Sequence, residues 1–101
     1  MIFIHTTCKD IDDAQKLSSA IIENKIGACV DYWPISSCFD SNGSVVCQPR
    51  VKLLITTFES KLDAITKLIS ENHSEVVPLV AGVDVRRINH PYKEWMMEVI
   101  Q

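Results

Sequence analysis

The sequence predicts an α+β domain in which a four-stranded antiparallel sheet carries two helices on one face, followed by a further C-terminal helix. Three observations predict this fold class. A long hairpin is centred on Asn42-Gly43, two amphipathic helical segments alternate with strand-like segments, and a proline begins a last amphipathic segment. The elements therefore follow the order β-α-β-β-α-β-α.

The hairpin occupies residues 27–57 and is the central element of the prediction. Asn-Gly favours a two-residue type I′ turn, because that turn needs positive φ at both positions. The segments on either side, 28–35 and 45–57, are rich in the β-branched and aromatic residues that suit a pleated surface.

The N-terminal segment predicts a strand followed by a helix. Ile2 and Ile4 alternate with Phe3, and apolar residues on both faces indicate a central strand. Asp10 is a candidate N-cap for a helix with apolar residues at helical spacing. We expect that helix to end near residues 25–26, with Gly27 as the left-handed residue after it.

The C-terminal half predicts a second helix, a fourth strand and a short last helix. Ser60 is a candidate cap for the second helix, and Val76 to Val85 predicts the strand. Pro78 cannot donate to a ladder, so it favours an edge position or the first residues of that strand. The last helix begins at His90-Pro91. Its apolar stripe consists of Tyr92, Trp95, Met96, Val99 and Ile100.

This order is the ferredoxin-like split βαβ arrangement, in a single domain over residues 1–101. Right-handed crossovers place both main helices on one face, with the first and third strands central and the fourth at an edge. The opposite face carries Phe3 and Leu54, and the C-terminal helix or other subunits must cover it. A large exposed apolar patch usually marks an interface, so we expect an oligomer.

Composition limits the function classes. The 101 residues are 47% hydrophobic and 23% charged, which predicts a packed core, and the net charge is −3. Because lysine and arginine are scattered, nucleic acid is not an expected partner. The N-terminus has no signal-peptide pattern and no segment is apolar enough for a membrane span, so we expect a cytoplasmic protein without membrane contacts.

The four cysteines, Cys8, Cys29, Cys38 and Cys47, form no CxxC pair. The spacing therefore does not indicate a preformed thiolate zinc site. Nothing else in the composition suggests a small secreted scaffold stapled by disulfides, so each cysteine is interpreted as a small buried hydrophobic residue.

The histidines and their neighbours leave several possibilities open. His5 is either a ligand or a core imidazole, and His90 is interpreted as an exposed helix-start residue. His73 is interpreted as a cap at the C-terminal end of the second helix, although nearby carboxylates could join it around a cation. Arg86-Arg87 is a weak candidate for an anion site. No Gly-rich phosphate loop or catalytic motif is present in the sequence.

The sequence resembles the CutA divalent-cation-tolerance family over nearly the whole chain. The matching positions combine an Ala-Cys-Val segment, a glycine turn after an aromatic residue, a His before Pro and a Tyr-x-x-Trp near the C-terminus. They are Thr6, Ala28-Cys29-Val30, Pro34, Ser37, Phe39, Gly43, Val51 to Ile55, Thr57, His73, Pro78, Tyr92 and Trp95.

This resemblance implies a ferredoxin-like homotrimer in which the sheets face inward and the long hairpin reaches the neighbouring subunit. It also implies a role in tolerance of divalent metals, copper above all, and no settled enzymatic activity. Carried over residue by residue, it makes Cys29 and His73 the candidate metal ligands, since thiolate and imidazole suit copper. The expected ligand is copper or another divalent cation, and no catalytic residue is expected.

The chain departs from the family pattern at polar positions: Ser41, Arg50, Thr56 and Ser74-Glu75. The hydrophobic and turn positions persist, so the trimer expectation stands. The main rival is a PII-like nucleotide-binding signalling protein, which has a related trimeric fold. That rival requires a phosphate-binding loop, and Ser41-Asn42-Gly43-Ser44 contains no basic residue.

Overall fold

The computed structural model describes residues 1–72 and 77–101, and it confirms the predicted fold class. In these residues four strands form one antiparallel sheet in the order β2-β3-β1-β4, with helices packed on it. The elements are β1 (Ile2–Cys8), α1 (Ile11–Glu23), β2 (Cys29–Ser41), β3 (Ser44–Thr57), a 3₁₀ turn (Glu59–Lys61), α2 (Leu62–Asn72), β4 (Ala81–Asp84) and α3 (His90–Val99).

The hairpin forms as the sequence predicts. Asn42 and Gly43 have φ values of 51° and 85°, the left-handed values that a type I′ turn requires. Ser41 pairs with Ser44 across the turn, and the pairing continues without interruption to Cys29 opposite Thr56.

The outer half of the hairpin extends beyond the sheet. Strand β1 pairs with β3 only from Val51 to Thr57, so residues 35–50 form an arm, two strands wide, that projects from the body of the domain. The arm contributes to the elongated shape, whose principal extents are 46 × 25 × 21 Å. Pro34 lies at the base of the arm on β2, where an edge strand can accommodate a residue without an N–H.

The main core lies between the sheet and helices α1 and α2. It buries one face of β1 and β3, together with the apolar stripes of both helices. Its fully enclosed side chains include Ile4, Leu53, Ile55, Ile21, Ile65 and Ile69. Burying each of them contributes about 1.5–3 kcal/mol, so this core is the main source of stability.

A second apolar cluster fixes α3 against the end of the sheet. Met96 and Ile100 pack on Ala28, and Phe58 and Tyr92 lie against them. The helix begins at His90 with Pro91 in its first turn, as the sequence predicts. The helix therefore covers only the end of the sheet face opposite α1 and α2.

The prediction for the first helix is right at its start and wrong at its end. Asp10 caps α1 by accepting from the backbone N–H of Asp13 at 2.8 Å. Lys25, with a φ of 58°, takes the left-handed position that was predicted for Gly27. Gly27 is needed for a different reason: a Cβ there would lie 2.5 Å from Cγ2 of Ile21. The glycine allows the chain to pass close to α1.

Two further boundaries differ from the prediction. Ser60 lies inside the 3₁₀ turn that precedes α2 and is not its N-cap. Strand β4 begins at Ala81, later than the predicted strand, and pairs at the sheet edge with β1. Proline disfavours ladder pairing, which agrees with Pro78 lying outside the strand. Val76, where the strand was predicted to begin, lies outside the described residues.

The interpretation of the cysteines is correct for Cys8 and wrong for two others. Cys8 is buried at the end of β1. Cys38 and Cys47 are exposed on the arm and form a disulfide with a Cα–Cα distance of 4.0 Å. The type I′ turn sets a register in which these two residues lie directly opposite each other. The lack of a secreted-type composition therefore did not exclude a disulfide in this chain.

Candidate functional site

The sheet face opposite α1 and α2, here called the open face, carries Phe3, His5, Cys29, Asp31, Trp33 and Leu54. These residues alternate along their strands with the core residues, and the pairing aligns them in rows. Phe3 and Cys29 lie on either side of Thr56, and His5 and Asp31 lie on either side of Leu54. Phe3 and Leu54 are half-buried, while Trp33 is 41% exposed. The face therefore combines apolar surface with ionisable groups.

Cys29, Asp31 and Tyr92 form a cluster of ionisable side chains at one end of this face. Cys29 begins β2, and its Sγ lies 3.8 Å from Oδ1 of Asp31, two residues along the same strand face. Helix α3 brings Tyr92 close enough to Cys29 for the phenol and the thiol to influence each other's pKa. A thiol, a carboxylate and a phenol thus meet where α3 joins the sheet.

The electrostatics of this group favour the protonated thiol. Partial burial raises the pKa of Cys29, and the negative charge of Asp31 raises it further. The Tyr92 hydroxyl opposes this effect by donating to the thiolate. Burial and the neighbouring thiol also raise the pKa of Tyr92. A cation placed here would reverse the balance, because it would stabilise both anions.

Tyr92 is further held by an aromatic contact within α3. Its ring meets that of Trp95 edge to face, with centroids 5.3 Å apart and planes inclined by 65°. The contact restricts the Tyr92 ring on the side of α3 that packs on the sheet. The Tyr-x-x-Trp pattern therefore has a structural use beside Cys29.

The other predicted candidates do not join this group. His5 is half-buried on the central strand, and His90 is exposed at the start of α3, where its Nε2 lies 2.8 Å from Oε1 of Glu94. Glu71, a candidate partner of His73, lies 4.0 Å from Nζ of Lys67. His73 itself lies outside the described residues.

Cys8 occupies a separate environment at the other end of the sheet. Its burial, with a contribution from Asp13, raises its pKa to about 11. It borders a small surface cavity with Lys9, Leu17 and Asn72. A thiol with so high a pKa is a poor nucleophile at neutral pH, which agrees with a packing role.

Sequence reasoning missed Asp31 and the contact of Tyr92 with Cys29. Asp31 could have been found, since residues two apart on a strand share a face. The position of Tyr92 depends on how α3 docks on the sheet, and no local pattern encodes it. Within residues 1–72 and 77–101, three or more His, Cys, Asp or Glu side chains do not come together to hold a metal ion.

The fold and the site define a small ferredoxin-like α+β protein whose bare sheet face carries a cysteine beside a carboxylate. The model of the CutA1 divalent ion tolerance protein family matches residues 2–99. The chain therefore belongs to the CutA1 divalent ion tolerance family.

Individual relatives agree with this assignment. The chain is similar to Protein CutA 1, chloroplastic, of Oryza sativa subsp. japonica, with 33% identity over 96 residues that cover 94% of this chain and 54% of the rice protein. It thus spans about half the length of that relative. The divalent-cation tolerance protein CutA of Archaeoglobus fulgidus is 22% identical over 98% of this chain and 97% of its own length.

Solved structures support the fold. The crystal structure of CutA1 from Oryza sativa has a TM-score of 0.96 and 32% identity, covering 99% of this chain and 93% of that one. The periplasmic divalent cation tolerance protein CutA from Archaeoglobus fulgidus has a TM-score of 0.97 at 22% identity, with both chains fully covered. Among the described residues, no helix of this chain has the length and apolarity needed to span a bilayer.

Proposed function

We propose that this protein binds a divalent cation, copper in particular, through Cys29, and that it does so as a homotrimer without catalytic activity. The observation that carries the proposal is the pairing of the Cys29 thiol with the Asp31 carboxylate beside Tyr92. Sulfur is a preferred donor for copper, and a carboxylate adds the negative charge that a cation needs.

The described residues supply only part of a donor set for such an ion. Cys29 and Asp31 would supply two ligands, and two are too few for a tight site. We propose that His73 of a neighbouring copy supplies a third, as the family resemblance implies a metal role for His73 and Asn72 before it borders the cavity of Cys8 at the other end of this chain's sheet. Imidazole and thiolate together suit copper better than either does with oxygen alone.

Metal binding at Cys29 would be coupled to proton release. The raised pKa of Cys29 keeps the thiol protonated at neutral pH, and a metal must displace that proton. Affinity should therefore rise with pH. Tyr92 would hold the thiolate in place by donating a hydrogen bond to it.

The trimer would cover the open face. Helix α3 covers only the end of this face, and Phe3, Leu54 and Trp33 leave apolar surface beside it. Burial of this surface against other copies, with each arm contacting a neighbour, would remove it from water. The PII-like alternative finds no support at the turn, because residues 41–44 contain no lysine or arginine that could bind a phosphate. A cytoplasmic location stays part of the proposal, although the Archaeoglobus relative is described as periplasmic.

The first test is native mass spectrometry and titration calorimetry with Cu²⁺ and Zn²⁺ on the purified protein. We expect stoichiometric uptake that Cys29→Ser abolishes and that Asp31→Asn weakens by roughly tenfold, since it removes one charged ligand. His73→Ala should also weaken uptake.

The matched control is Asp12→Asn, which removes an exposed carboxylate from the first turn of α1, far from Cys29 in the chain. It should leave uptake unchanged. Undiminished uptake by Cys29→Ser, or an equal loss in Asp12→Asn, would overturn the proposed site. Retention of ATP in place of metal would favour the PII-like alternative.

A further inference from the structure

The arm carries a disulfide that the metal proposal does not use. Cys38 on β2 and Cys47 on β3 are bonded to each other, and both residues are exposed. Cys8 is buried and Cys29 lies at the opposite end of β2, and both carry free thiols. The exposed disulfide on the arm is therefore distant from both free thiols, one of which is buried in the core and the other of which lies on the open face.

The register of the hairpin places the two cysteines where a disulfide can open and close without a change of backbone pairing. Ser41 and Ser44 flank the two-residue turn as a hydrogen-bonded pair, and pair types alternate from there. Cys38 and Cys47 consequently form a non-hydrogen-bonded pair. Their Cα–Cα distance of 4.0 Å agrees with the closer spacing of such pairs.

The arm is also structurally separate from the core. Its strands pair with each other, whereas β1 reaches β3 only as far as Val51. Arg50 anchors the base of the arm, with its Nη2 donating to Oγ1 of Thr7 at 2.8 Å. Opening the disulfide would therefore remove a cross-link from the arm and leave the contacts of the main core in place.

We propose that the Cys38–Cys47 pair is a thiol–disulfide exchange site that a dithiol reductant opens reversibly while the domain stays folded. One thiolate of the reductant attacks Sγ of Cys38 or Cys47, forms a mixed disulfide and releases the other cysteine as a thiolate, which takes up a proton. The second thiol of the reductant then attacks its own mixed-disulfide sulfur and releases the remaining cysteine. Two electrons pass to the protein, and the reductant leaves as a disulfide.

The reverse step requires a disulfide oxidant of the same class, which would restore the cross-link. Exposure makes both sulfurs accessible to the reductant and the oxidant, and exposed disulfides are more easily reduced than buried ones. The proposal is independent of the metal site, because it concerns the other end of β2. In the proposed trimer, where each arm contacts a neighbour, it requires that the disulfide stays accessible to the reductant.

The test is differential alkylation of the intact protein at graded concentrations of dithiothreitol, followed by peptide mass spectrometry. Thiols open before reduction are blocked with iodoacetamide, and those exposed by reduction are labelled with N-ethylmaleimide. We expect Cys38 and Cys47 to take the second label together while circular dichroism and the thermal midpoint still report a folded domain. Removal of the reductant with addition of oxidised glutathione should restore the disulfide.

Hydrogen exchange identifies which part of the molecule responds. Reduction should speed amide exchange in residues 35–50 by roughly tenfold or more. The disulfide closes a loop between Cys38 and Cys47 and so restricts the opened states of the arm from which amides exchange. Exchange in β1 and α2 should stay the same. The double variant Cys38→Ser/Cys47→Ser should match the reduced protein in the arm and should not respond to reductant.

Three outcomes would overturn the proposal. Cys38 and Cys47 could be alkylated by iodoacetamide without any reductant, which would mean that the disulfide is absent in solution. Reduction could occur only at reductant or denaturant concentrations that unfold the domain, which would make the bond a structural staple. Finally, the reduced pair could fail to re-form with oxidised glutathione.

Discussion

Cys8 and Cys29 show how position determines what a free thiol can do. Cys8 ends β1 inside the main core, whereas Cys29 begins β2 on the open face beside Asp31. Burial raises the pKa of both, and a nearby carboxylate raises each further, but only Cys29 has its thiol hydrogen-bonded to a carboxylate. The same side chain therefore serves packing at one end of the sheet and is a candidate ligand at the other.

The pKa of Cys8 predicts a loss of stability in alkaline solution. Its thiol titrates at about 11 in the folded chain against an ordinary value of 9.0, with burial as the main cause. Below pH 9 both states are protonated and this contribution is fully present, and as pH rises through the folded pKa it is lost. Cys8 borders a surface cavity, where water weakens this effect. We therefore expect the free energy of unfolding to fall by about 1–2 kcal/mol between pH 9 and 11.

Urea unfolding at a series of pH values measures that loss. The variant Cys8→Ala lacks the titrating group and should be less stable at neutral pH, but its free energy of unfolding should fall less steeply above pH 9. An identical slope in both proteins would assign the alkaline loss to other groups.

Replacement of Gly27 by alanine should destabilise the fold, and Gly82 provides the matched control. A Cβ at Gly27 would lie 2.5 Å from the Ile21 side chain and 3.3 Å from that of Ile55, both in the packed core. At Gly82 the nearest atom is 3.6 Å away, an ordinary contact. We expect Gly27→Ala to lower the free energy of unfolding by about 1–3 kcal/mol and Gly82→Ala to change it by less than about 1 kcal/mol. Equal effects in urea unfolding would mean that the Ile21 and Ile55 side chains adjust to the added Cβ at little cost in free energy.

Among the elements, the arm depends most on its turn. Gly43 has a φ of +85° and open space around its Cα, so only the backbone conformation restricts the residue there. Gly43→Val should strain the turn by about 1–2 kcal/mol, whereas Gly43→Asn should be tolerated because asparagine accepts the left-handed region.

Hydrogen exchange followed by mass spectrometry separates these two variants. Gly43→Val should raise exchange in residues 35–50 while the core strands keep their protection. If valine and asparagine behave alike, the type I′ turn does not limit the stability of the arm.

The elements also show what the sequence could and could not predict. Asn42-Gly43, Asp10 and Pro91 are local signals, and each one correctly marks a turn or a helix start. The Cys38–Cys47 pair was predictable in principle, since the two cysteines are placed symmetrically about the turn that the sequence already indicated.

The missed features depend on tertiary contacts. Gly27 is required by a side chain of α1, and the left-handed position falls instead on Lys25. In the same way, Tyr92 reaches Cys29 only because α3 docks on the end of the sheet. Neither relationship has a spacing in the sequence, so neither could be deduced from periodicity.

At the scale of the whole molecule, the uneven cover of the two sheet faces is the strongest argument for assembly. Two helices bury the central strands on one face, while the open face has only one end of its surface under α3. Val83 on the edge strand is 49% exposed and Trp33 is 41% exposed, so the apolar surface extends across the sheet. An isolated chain would keep this surface in water, which is unfavourable at about 25 cal/mol per Å².

A charge on the open face should therefore dissociate the proposed trimer. We expect the unmodified protein to have a trimer mass by size-exclusion chromatography with light scattering, and Leu54→Arg to have a monomer mass. Leu54 lies on the central strand β3 between His5 and Asp31, so a buried arginine there would lose its water without a full set of partners. The matched control is Ile22→Arg on α1, an apolar residue that is 45% exposed on the opposite side of the domain, and it should stay trimeric. A monomer mass for the unmodified protein, or equal dissociation in both variants, would contradict assembly through the open face.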